Sequence, residues 1–60
     1  MTVGEVIAVR PDVMPPAIFV RIEFNEIRAI KLDEYPELAM MRPGDKINIE
    51  NFNNHPTSQF

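Results

Sequence analysis

Apolar and polar residues alternate most clearly between Ala17 and Phe24. Ile18, Val20, Ile22 and Phe24 fall on one side at a period of two, with Ala17, Phe19, Arg21 and Glu23 on the other. This pattern predicts a half-buried β-strand. A second strand is expected over Glu26–Asp33, with Asn25-Glu26 as a tight two-residue turn between the two. Such a turn sets Phe24 opposite Ile27 and Ile22 opposite Ala29 on the inner face, and Glu23 opposite Arg28 as an attractive pair outside. Farther from the turn the alternation fails. Lys31 would face Val20, while Ile30 and Leu32 would point outward beside Phe19. Either a β-bulge turns these residues into the core, or Phe19, Ile30 and Leu32 form a second apolar surface.

The remaining elements follow from local chemistry. Val3–Val9 is rich in β-branched residues and stops at Arg10-Pro11, which predicts a first strand with Gly4 marking a bend or bulge. Arg10–Pro16 holds three of the six prolines and reads as a loop of polyproline character. Tyr35–Met41 has Pro36 at a first helical position and good helix formers after it, enough for a helical turn whose Leu38 and Met41 plug one end of a sheet or barrel. Arg42-Pro43-Gly44-Asp45 has the chemistry of a type II turn. Lys46–Glu50 alternates as a last strand, with Ile47 and Ile49 inward. The expected domain spans residues 1–52, and 53–60, with no periodic pattern, is expected to be a flexible C-terminal tail.

The order strand, proline loop, strand, tight turn, strand, helical turn, Pro-Gly turn, strand resembles small five-stranded barrels of the SH3-like and OB-like types. The expected fold is therefore an all-β barrel of about five short strands. The run Leu38-Ala39-Met40-Met41-Arg42-Pro43-Gly44-Asp45-Lys46-Ile47-Asn48-Ile49, together with Val3–Val9, is similar to TOBE domains, the small OB-like modules of molybdate-binding proteins and transporter ATPases. That resemblance covers about residues 3–52 and implies oxyanion or small-ligand sensing at a subunit interface. The chain lacks the Ser/Thr/Lys-rich segments that oxyanion pockets of that family use, so no ligand-binding residue follows from it.

Composition narrows the chemistry. A chain of 60 residues with 45% hydrophobic and 25% charged residues is of globular make-up, not disordered. It has little margin between the apolar surface it buries and the chain entropy it loses, which favours completing the core against a second copy (a homodimer) or another protein. Without cysteine and with one histidine there is no disulfide and no structural zinc set, so neither a metal nor another cofactor is expected. No apolar run approaches membrane-spanning length and no signal-like segment opens the chain, so the expectation is a cytoplasmic protein with no membrane partner. The net charge of −3 belongs to the second half: residues 1–32 balance, and residues 33–60 carry the excess of carboxylates. An acidic chain lacks the usual footprint for phosphate backbones.

Three chemistries remain to be weighed. For catalysis, Ser58 and His55 lie in the expected tail and cannot be held as nucleophile and base, so no catalytic residue is assigned and the chain is expected not to be an enzyme. Asp33, Glu34 and Glu37 could bind a hard cation, but no calcium-loop spacing accompanies them, and they read as a solvated electrostatic edge. Phe19 and Arg21 beside Arg28 resemble the stacking-plus-charge surface of OB folds, opposed by Glu23, Glu26 and the net charge. Met14, Pro15 and Pro16 with Phe19, Arg21, Ile30 and Leu32 would make an exposed apolar patch, the usual mark of an interaction site. The expectation is a non-catalytic protein-interaction or accessory module, of a size that suits a phage or mobile element. It would dock through the Met14–Phe19 loop and hairpin face, with the Asp33–Glu37 edge choosing a basic partner patch. A single-stranded nucleic-acid module and a TOBE-like oxyanion sensor are the alternatives.

Overall fold

The structure, a computed structural model, describes residues 2–57. The alternating segments pair into one antiparallel sheet of β1 (Val3–Arg10), β2 (Ala17–Arg21), β3 (Ile27–Lys31), β4 (Lys46–Asn48) and β5 (His55–Pro56), in the order β4-β1-β2-β3-β5. The chain is thus all-β, and its sheet is open. No α-helix occurs among the described residues; 3₁₀ turns form at Glu23–Asn25, Pro36–Met40 and Ile49–Asn51.

One face of the sheet packs the core. Val6, Ile18, Val20, Ile30, Leu32, Leu38 and Ile49 are buried together, with Val9, Ile22, Tyr35, Met41, Ile47 and Phe52 packed against them. The helical turn expected before the last strand is the 3₁₀ turn Pro36–Met40, with Pro36 in its first turn and Leu38 buried beneath it. Leu38, Met41, Ile47 and Ile49 all reach the core as their spacing predicts. The Arg42–Asp45 bend is a turn closed by Asp45 N–H donating to the Arg42 carbonyl at 3.0 Å, with Gly44 at φ +98°.

The β2–β3 hairpin differs from the expected one. Its loop is Glu23-Phe24-Asn25, three residues, closed by Ile22 N–H donating to the Glu26 carbonyl at 2.8 Å. The register slips by three residues, so Val20 faces Arg28 and not Lys31, and Ile18 faces Ile30. A slip by an odd number exchanges the faces of one whole strand. Ile30 and Leu32 therefore enter the core, at 0% and 5% exposure, and do not line a second apolar surface. Phe24, expected inward opposite Ile27, stands at the tip, and Ile27 faces Arg21. Glu23 is not opposite Arg28; Arg28 Nε instead lies 2.6 Å from Glu26 Oε2, off the N–H axis, as an ion pair.

The bulge sits elsewhere, in β1, where the pairing with β2 shifts between Val6 and Ala8. Gly4 is regularly paired and marks close packing: a Cβ there would occupy the space of Val20 Cγ1 and come within 3.1 Å of Ile49 Cγ2. The segment from residue 53 is not the loose tail expected. His55–Pro56 adds β5 to the edge of β3, and Asn53 N–H donates to the Tyr35 hydroxyl at 2.9 Å. Residues 58–60 of that expected tail, Ser58 among them, lie outside the described residues.

Candidate functional site

Residues paired across antiparallel strands share a face of the sheet. With Val6, Ile18, Val20 and Ile30 on the core side, the alternate positions build the opposite, outer face in three rows. The first row is Lys46, Glu5, Arg21 and Ile27; the second is Ala8, Phe19, Ala29 and His55; the third is Arg10, Ala17 and Lys31. Rows on one face are about 7 Å apart and strands about 4.8 Å. Phe19 thus has a row on either side of it, one holding Lys46 and Arg21 and the other ending in Arg10 and Lys31.

Four of the six cationic side chains belong to this face. Glu5 is the only carboxylate within a strand among the described residues; the others stand in exposed turns and loops. Four cations against one carboxylate leave the face positive by three, in a chain of net charge −3. Arg21 Nη2 contacts Glu5 Oε1 at 2.9 Å, and Arg10 Nε contacts Asp12 Oδ1 at 3.2 Å. The Arg10 hydrogen bond holds the Asp12 carboxyl below its ordinary range. Both pairs are solvent-exposed and so of small net worth. A phosphate can take the place of either carboxylate. The centre of the face is apolar and low: Ala17 and Ala29 are fully buried although they stand outside the core cluster, and Phe19 is half-buried between Ala8 and Ala29.

Of the residues singled out from the sequence, Phe19 and Arg21 meet on this face in adjacent rows. Arg28 is not with them; it pairs with Val20 on the core side. Met14 is 92% exposed and Pro15 exposed in the β1–β2 loop, where the Met14–Pro15 peptide is cis, and the Pro16 carbonyl accepts from Leu32 N–H at 3.0 Å. Ile30 and Leu32 are removed to the core. Asp33, Glu34 and Glu37 are exposed, and Glu34 Oε1 accepts from Asn53 Nδ2 at 3.4 Å. Among the described residues no three His, Asp or Glu side chains are grouped to hold a metal, and no helix is long and apolar enough to cross a membrane. Arg10, Lys31, Lys46 and His55 were missed because only the true register brings them onto the face of Phe19. Lys31 was the available signal, since a lysine placed opposite Val20 is badly housed.

No family model, curated protein or solved structure matches the chain.

Proposed function

We propose that the protein is a non-catalytic binding module that holds single-stranded nucleic acid along the outer face of its sheet. One observation supports this above all: the strand register collects Arg10, Arg21, Lys31 and Lys46 around Phe19, while every described carboxylate but Glu5 is kept to turns and loops. The division of labour is physical. The half-buried ring of Phe19 is the aromatic group on this face that a base can stack against, at about 1–3 kcal/mol per base. The cations of the flanking rows neutralise phosphates and release counterions, without selecting a sequence.

The alternative of docking to a protein through the hairpin face rested on an apolar patch that included Ile30 and Leu32. With both in the core, its exposed remainder is Met14, Pro15 and the edge of Phe19. The test is fluorescence anisotropy of a labelled mixed-sequence oligonucleotide at low salt. Phe19→Ala should weaken binding about tenfold or more, the equivalent of one lost stacked base, with circular dichroism confirming that the variant is folded. Phe19→Leu, which keeps bulk without the ring, should be impaired as well. Absence of binding by the native chain, or native affinity in a folded Phe19→Leu, would overturn the proposal.

A further inference from the structure

The β2–β3 tip holds a residue that neither the turn nor the core calls for. Phe24 is 97% exposed and sits at φ +58°, followed by Asn25 at φ +61°. The left-handed region is readily adopted by Gly and Asn and disfavoured for a bulky side chain. Asn25 fits its position and Phe24 does not. Met14 and Met40 are also exposed, but neither has a positive φ. The tip is framed: Ile22 N–H donates to the Glu26 carbonyl at 2.8 Å and Glu26 N–H to the Glu23 carbonyl at 3.1 Å. Its flanks are Glu23 and Glu26, both exposed, and Glu26 is paired with Arg28, so Glu23 carries the uncompensated charge of the tip.

An aromatic ring beside an uncompensated carboxylate is disfavoured against nucleic acid and anionic membranes, and is complementary to an apolar spot beside cations. This molecule has such a spot on its own outer face, where the half-buried Ala8 and Phe19 lie among Lys31, Lys46 and the ion-paired Arg10 and Arg21. We infer that the tip of one copy docks on the outer face of a second copy, with Phe24 as the anchor. Each copy carries both parts, so the contact can be reciprocal and close as a dimer. The second copy takes the same face as the proposed nucleic acid, so the two compete for it; the inference does not rest on that reading, and its test contains no oligonucleotide.

Sedimentation of the full chain over a wide concentration range reads the association directly. The native chain should show a reversible dimer that added salt weakens. Phe24→Asn suits the left-handed backbone and should keep or raise the melting temperature, while weakening dimerisation at least about tenfold, as loss of an interface anchor does. Lys31→Glu should weaken it too, from the receiving side. A native chain that stays monomeric, a Phe24→Asn dimer of native strength, or indifference to both Lys31→Glu and salt would overturn the inference.

Discussion

Gly4 and Gly44 are the chain's two glycines, and they are required for opposite reasons. At Gly4 the backbone is ordinary strand but the space is taken by Val20, itself fully buried and unable to retreat. Gly4→Ala should therefore cost about 2 kcal/mol or more, through overpacking. At Gly44 nothing lies within 4 Å, and the left-handed backbone at φ +98° alone opposes a side chain. Gly44→Ala should cost about 1 kcal/mol. Urea unfolding of the two variants separates the cases, and equal losses would contradict the packing described around Val20. A second residue-scale effect belongs to Glu50. Thr2 N–H donates to Glu50 Oε1 at 2.7 Å and holds the carboxyl below its ordinary value of 4.5. A carboxylate lowered in the folded state contributes stability above that value and loses it as the pH falls through the folded one. Melting temperatures below about pH 4.5 should thus fall more steeply for the native chain than for Glu50→Gln.

At the scale of elements, β5 shows how a two-residue strand can be held. Tyr35 and Phe52 meet edge to face at 4.9 Å, the Tyr35 hydroxyl accepts from Asn53 N–H, and Asn54 Nδ2 donates to the carbonyls of Ile49 and Phe52. Removing the hydroxyl in Tyr35→Phe should cost about 1 kcal/mol and speed amide exchange from Asn53 to Thr57 before the rest of the sheet. Exchange that rises uniformly would mean that β5 is not tethered through Tyr35. None of this was legible in the sequence, because His55-Pro56 has no alternation and its position is set by contacts distant along the chain. The helical turn and the Pro-Gly bend were legible, since Pro36, Pro43 and Gly44 act on their own backbone. The β2–β3 register was misread for a specific reason. Phe24 continues the even-numbered apolar set and so mimics one more strand residue, whereas its backbone has already left the strand. The discord at Lys31, Ile30 and Leu32 was the trace of a three-residue loop. The bulge left none: Val6-Ile7-Ala8-Val9 is apolar throughout, so no alternation shows which residue is extra.

For the whole molecule the register has a consequence for charge. With Ile30 and Leu32 turned into the core, their strand neighbours Ala29 and Lys31 turn out, completing a face positive by three on a chain negative by three. Phe19 and Arg21 were visible as candidates because they alternate on one strand. Arg10, Lys31 and Lys46 were not, since they come from three other strands and only sheet order joins them. The binding proposal stands on that assembled face, and its salt dependence measures it most directly. If the four cations each meet a phosphate, the logarithm of the oligonucleotide affinity should fall against the logarithm of salt with a slope of about −2.8. Replacing Lys31 and Lys46 together by Gln should bring the slope to about −1.4. A native slope near zero, or a slope the double variant leaves unchanged, would contradict the account.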